Sequence, residues 1–145
     1  MVAVCDIAIA DENAMFALSE VRLGLVPAVI GPYVLQKVGM GAARALFVTG
    51  ERIGAAEAYR IGLVNEIVPN AELIPRSEAI LKQIISNAPQ GVKFSIEAVN
   101  KGLETSLTEG LLLEASLFAI CAATEDKKEG TSAFLEKRAP QFRGR

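Results

Sequence analysis

Cys5-Asp6-Ile7-Ala8-Ile9-Ala10-Asp11-Glu12-Asn13-Ala14-Met15-Phe16-Ala17-Leu18-Ser19-Glu20-Val21-Arg22-Leu23-Gly24-Leu25-Val26-Pro27 is the stretch whose reading decides the rest of the chain. Two short apolar runs flank the turn formers Asp11-Glu12-Asn13, which reads as strand, turn, strand. Both faces of the first run are apolar, so it is expected to be buried on both sides. Glu20 follows Phe16-Ala17-Leu18, where a carboxylate at the mouth of an apolar strand is partly desolvated. Desolvation raises a carboxyl pKa, and a raised value suits a proton donor working near neutrality. The competing reading makes Glu20 a solvated loop charge.

Composition narrows the field. The chain has 145 residues, no His, two Cys and a net charge of −2. That length is one domain's worth, able to bury a little under ~70% of its unfolded surface. Mixed charges near balance argue against nucleic acid or a membrane surface as the main partner. No apolar run approaches the ~18 residues of a bilayer span. Met1-Val2-Ala3-Val4 lacks the basic head of a signal peptide, so a cytoplasmic location is expected. Cys5 and Cys121 sit in apolar stretches and are expected to be small buried hydrophobes. Without His, acid–base chemistry must rest on carboxylates. No metal site and no disulfide framework is suggested.

Outward from the opening stretch, Pro32 suits the first turn of a helix and Gly39 its left-handed end. Gly39-Met40-Gly41 could be taken for a phosphate loop, but without a preceding strand a plain helix–turn–helix is the better reading. Ala42 to Thr49 reads as a helix closed by Gly50, and Gly54 to Ile61 as another closed by Gly62. Leu63 to Val68, ended by Pro69, reads as a short strand. From Asn70, a candidate cap, the chain turns helical. Leu81, Ile84 and Ile85 mark one apolar face, and Val92, Ile96, Val99 and Leu103 a second. Ser106 with Glu109 forms a capping box for a third helix. Its wide apolar surface, from Leu107 to Cys121, needs a partner, either in this polypeptide or in another subunit. Thr124 starts the last helix, with Phe134 and Lys137 one turn apart. The basic tail Lys137, Arg138, Arg143 and Arg145 reads by itself as a solvated, frayed terminus.

The run from Cys5-Asp6-Ile7 through Phe16-Ala17-Leu18-Ser19-Glu20 to Leu23-Gly24-Leu25-Val26-Pro27 resembles the enoyl-CoA hydratase (crotonase) family. The family pattern there is C-D-I, then E-N-A-x-F-G-x-P-E, then L-G-L-x-P. Further matches follow, in order, at Leu46 to Arg52, Ala55 to Ala58, Gly62 to Pro69 and Glu129 to Arg138. The resemblance implies an α/β chain, mostly helical, forming the C-terminal part of the ClpP/crotonase-like spiral fold. Residues 1–69 would be the end of the core, with short strands and helices, and residues 70–145 a helical trimerisation region. Where the family is small and glycine-rich after the proline, this chain has Ala28-Val29-Ile30. That departure resembles the branch containing methylglutaconyl-CoA-type hydratases.

The activity so implied is reversible addition of water to a 2-enoyl-CoA thioester. CoA thioester is then the substrate, no cofactor is needed, and a homo-oligomer (trimer or dimer of trimers) is the expected assembly. Glu20 matches the second family glutamate, the proton donor. Pro27 and Ala28 match the acyl-end segment. Phe134 and Lys137 match the aromatic and the lysine that reach the adenine and phosphate end of CoA, chemically apt as a ring face and a point charge. In the family the first glutamate and both halves of the oxyanion hole come from upstream of C-D-I. Counting back from Asp6 to that glutamate passes Met1, so the chain by itself is expected to be inactive. Two other readings stay open: an isomerase that moves a double bond with one glutamate, and a non-catalytic assembly module that pairs with a separate N-terminal subunit.

Overall fold

The computed structural model describes residues 2–145, in two compact units that divide between Glu78 and Ala79. The first unit carries the strands. A 3-10 turn at Val2–Val4 leads into β1 (Ile9–Asp11), β2 (Met15–Phe16) and a second 3-10 turn at Glu20–Leu23. Helix α1 (Gly31–Thr49), β3 (Ile53–Gly54), α2 (Ala55–Arg60) and β4 (Glu66–Val68) follow, and a 3-10 turn at Asn70–Glu72 opens α3 (Leu73–Ile85). The division between the units falls inside α3.

β1 and β2 do not pair with each other across their turn. β1 runs parallel to β4, with Ala10 opposite Ile67, and β2 runs antiparallel to β3, with Phe16 opposite Ile53. Asn65 extends the first pairing: its Oδ1 accepts the Ala8 N–H at 2.8 Å and its own N–H donates to the Ala8 carbonyl at 2.7 Å. The first apolar run is less buried than its composition predicts. Ala8 and Ala10 are buried, but Ile7 is 46% exposed. Among the described residues β1 has one partner strand, and of its three residues only Ala10 is buried, Ile9 and Asp11 being half-buried.

Helix α1 is two helices joined at Gly39, whose φ of 74° and ψ of 168° are not helical. Its start carries Pro32 in the first turn and its end is the left-handed Gly50, whose N–H donates to the Leu46 carbonyl. The sequence expectation of a break at Gly39 and a stop at Gly50 is met. Val34, Ala43 and Leu46 form one buried cluster, and Ala8, Ala10, Ala58, Leu63 and Val64 another. The second is built largely of alanine, which lets α2 approach β1 and β4 closely. A buried Leu such as Leu46 contributes about 1.5–3 kcal/mol relative to exposure. Asn70 is no cap: it lies within the 3-10 turn and Pro69 precedes it without a side-chain bond.

The second unit holds most of α3 with α4 (Pro89–Gly102), α5 (Leu107–Ala122) and α6 (Glu125–Glu136). The capping box on α5 is present in both directions: Ser106 Oγ accepts the Glu109 N–H, and Glu109 Oε2 accepts the Ser106 N–H at 3.1 Å. Thr124 caps α6 by accepting the Lys127 N–H at 3.1 Å. Of α5 only Leu117 is buried; Leu107, Leu111, Leu112 and Phe118 are exposed. Cys5 is exposed and Cys121 half-buried, so neither is the buried hydrophobe expected. Among the described residues no single helix is long and apolar enough to cross a membrane.

Candidate functional site

Glu20 opens the 3-10 turn that follows β2. The turn is closed tightly: the Gly24 N–H donates to the Val21 carbonyl at 3.1 Å and the Leu25 N–H to the Glu20 carbonyl at 3.0 Å. Gly24, with φ 74°, supplies the left-handed conformation this reversal needs. Beneath the turn lies Gly50. A Cβ there would sit 3.0 Å from Val21 Cγ2 and 3.4 Å from Arg22 Cγ, so the end of α1 packs directly against the residues after Glu20.

The Glu20 side chain is half-buried, and its Oε2 is shut from solvent with no hydrogen-bond partner among the described residues. Taking a carboxylate oxygen from water without a donor is costly. Such a group in a folded protein calls for a specific explanation, and a catalytic role is one. The neighbouring Phe16-Ala17-Leu18 forms part of the wall of an apolar cavity of about 270 Å³, completed by Ile30, Val34 and Leu46. Glu20 stands next to that wall in the chain and does not itself line the cavity. Pro27 is buried and Ala28 exposed; the cavity is reached by their neighbour Ile30.

Sequence reasoning missed two features of this unit. Asp11 Oδ2 is also buried without a partner, while Oδ1 accepts the Asn13 N–H at 2.7 Å; its Asx-turn composition signalled the turn and nothing more. Val29 has φ 75° and is 85% exposed. Its signal was the position where the family is glycine-rich.

Phe134 and Lys137 belong to the second unit. Phe134, in the last turn of α6, is 82% exposed and borders a groove of about 440 Å³ shared with Lys127, Thr131, Cys121 and Phe142. Lys137 is not on the helix as expected. It lies just past the end of α6 in the left-handed region, with φ 55° and ψ 38°. The tail beyond it is not frayed either. Buried Asp126 accepts the Arg143 and Gly144 N–H groups, each at 2.7 Å, and its own N–H donates to the Arg145 carbonyl. Arg138 donates to both Glu129 oxygens, at 2.6 and 2.9 Å, and to Glu136 Oε2 at 2.6 Å. The Arg138 guanidinium, then the Gln141 N–H, hold the Glu129 carboxyl down to about 2.

A family model described as enoyl-CoA hydratase/isomerase matches residues 1–145. The chain is 44% identical, over 92% of its length and 52% of the relative's, to a short-chain-enoyl-CoA hydratase of Clostridium acetobutylicum. It is 43% identical to a crotonyl-CoA hydratase of Syntrophomonas wolfei, over 95% of this chain and 54% of that one. The crystal structure of an enoyl-CoA hydratase from Bacillus anthracis superposes with a TM-score of 0.95 at 36% identity, covering 99% of this chain and 56% of the other. The chain thus spans about half the length of the relatives it matches, in the mixed, mostly helical α/β arrangement that the sequence predicts. With the match running from end to end, the chain belongs to the enoyl-CoA hydratase/isomerase family.

Proposed function

We propose that this chain is the C-terminal portion of an enzyme that reversibly adds water to a short 2-enoyl-CoA thioester, with Glu20 as the group that delivers the proton to Cα. The observation that carries the reading is the buried, unpartnered Oε2 of Glu20, which follows the apolar Phe16-Ala17-Leu18 segment in the chain. Hydration places the water oxygen on Cβ and a proton on Cα, while a second base takes the proton the water loses. Donors to the thioester oxygen stabilise the enolate between the two events. By resemblance, the second base and those donors come from upstream of Cys5-Asp6-Ile7. Names of the relatives, short-chain-enoyl-CoA and crotonyl-CoA hydratase, support the same class. The ring of Phe134 and the ammonium of Lys137 serve the adenosine and phosphate end of CoA.

The test joins this chain to the upstream half of the Clostridium acetobutylicum hydratase, fused or supplied separately, and offers crotonyl-CoA. The expected product is heavier by one water. Glu20→Gln keeps the fold and lowers turnover by roughly 10²–10⁴-fold, the worth of one general acid–base group. Near-full turnover in a folded Gln variant removes Glu20 from the chemistry. A product of unchanged mass with a moved double bond replaces hydration by isomerisation.

A further inference from the structure

The end of α6 breaks a local rule. Its hydrogen bonds are those of a Schellman motif: the Arg138 N–H donates to the Ala133 carbonyl at 3.0 Å and the Lys137 N–H to the Phe134 carbonyl at 3.3 Å. That motif places one residue in the left-handed region, and the residue found there is ordinarily glycine. Here it is Lys137, at φ 55°. A side chain in that conformation costs about 1–2 kcal/mol, and it persists only where surrounding contacts over-determine it.

Those contacts converge on the next residue. The Arg138 guanidinium meets both oxygens of Glu129, one oxygen of Glu136 and, at 3.3 Å, the Ala139 carbonyl. Glu129 Oε1 also accepts the Gln141 N–H at 2.8 Å, so the carboxylate grips the chain on both sides of Pro140. The planar fork of arginine matches a carboxylate in two parallel bonds, a geometry lysine cannot reproduce. Arg138 is therefore fixed in place, and Lys137 is fixed with it, three residues after the exposed ring of Phe134.

We infer that the Glu129–Arg138 pair is a positioning device for ligand binding, holding Lys137 in its left-handed conformation so that its ammonium and the Phe134 ring together take the phosphorylated adenosine end of a CoA thioester. The inference rests on the CoA reading above and adds to it the residues that act through Lys137. Without the clamp the lysine relaxes toward ordinary backbone conformations. Apparent affinity then falls by the fraction of molecules still competent. For a strain of this size that is about five- to thirtyfold.

Calorimetric titration of CoA into the 145-residue chain tests this, with thermal unfolding run in parallel on every variant. Lys137→Ala is expected to weaken binding about tenfold or more, as loss of one charged hydrogen bond does. Arg138→Ala and the milder Glu129→Gln are expected to weaken it about fivefold or more while Lys137 is present. In the Lys137→Ala background the same two substitutions should change affinity little, because the clamp then has nothing to position. A purely structural role predicts equal losses in both backgrounds, and that result overturns the inference. So does unchanged affinity in Glu129→Gln, the variant that keeps the Arg138–Glu136 pair should Arg138→Ala fail to fold. If the parent chain does not bind CoA, or if Lys137→Ala and Phe134→Ala bind it as the parent does, the CoA reading itself falls.

Discussion

Replacing Gly50 by alanine tests whether the end of α1 supports the turn that carries Glu20. Two costs add at this position. Gly50 has φ 58°, where an alanine costs about 1–2 kcal/mol, partly offset by about 0.4–1 kcal/mol from the stiffer unfolded chain. Its new Cβ would lie 3.0 Å from Val21 Cγ2 and 3.4 Å from Arg22 Cγ and Nε, an overpacking that costs typically about 1–3 kcal/mol. The net expectation is a loss of about 1–5 kcal/mol, read as a lower urea midpoint at unchanged slope. Gly24→Ala is the matched control, since Gly24 shares the left-handed φ, 74°, but a Cβ there meets nothing within 4 Å. The difference between the two variants isolates the close approach. Because Val21 and Arg22 directly follow Glu20, relief of the clash should shift the carboxylate as well. In the reconstituted enzyme turnover should fall further in Gly50→Ala than in Gly24→Ala, up to about 10²-fold for a 1 Å displacement. Equal stability losses in the two variants would refute the packing of the turn on α1.

Val29→Gly should stabilise the chain by about 0.5–1 kcal/mol, since the relief of a β-branched residue at φ 75° exceeds the added unfolded-state entropy; an unchanged or lower urea midpoint contradicts this. Glu129, held at about 2 against an ordinary 4.5 by Arg138 and the Gln141 N–H, binds its proton less tightly folded than unfolded. Its contribution is complete above about pH 4.5 and is lost as pH falls from there through about 2. Stability measured down that range should fall less steeply in Glu129→Gln, and parallel curves would count against the pairing. The exposed Leu107, Leu111, Leu112 and Phe118 on α5 make a surface that self-association would cover. Light scattering at micromolar concentration should show an assembly, and a clean monomer mass would contradict it.

What the sequence made legible was chemistry completed within one turn of chain. The Ser106–Glu109 box, the Thr124 cap and the stops at Gly39, Gly50 and Gly62 each need only a side chain and a backbone group a few residues apart. The partner of β1 was not legible, because the β1–β4 pairing joins segments far apart in sequence and strand composition does not name a partner. Nor was the hold on the tail, since Glu129 and Asp126 reach residues beyond the end of α6 that no helical periodicity connects. Glu20 was found by motif, yet its burial without a donor could come only from three dimensions.

One pattern ties these failures to the candidate site. Among the described residues only two that are not glycine have positive φ, Val29 and Lys137. Local rules predict neither, since a β-branched residue and a lysine both disfavour that region. Val29 follows Pro27-Ala28, the segment proposed above for the acyl end of a CoA thioester, and Lys137 is the residue proposed for its phosphate end. Sequences that fold well tend to break local rules at functional sites and to compensate for the break nearby. At Lys137 the compensation is visible in the Arg138 clamp. At Val29 the Ile30 N–H donates to the Ala28 carbonyl at 2.9 Å, spanning Val29 in a tight turn, and no side-chain clamp on Val29 or its two neighbours is seen among the described residues. The strain at Val29 is thus less fully offset than at Lys137, so relieving it should raise stability, whereas removing the clamp at Lys137 should lower ligand affinity.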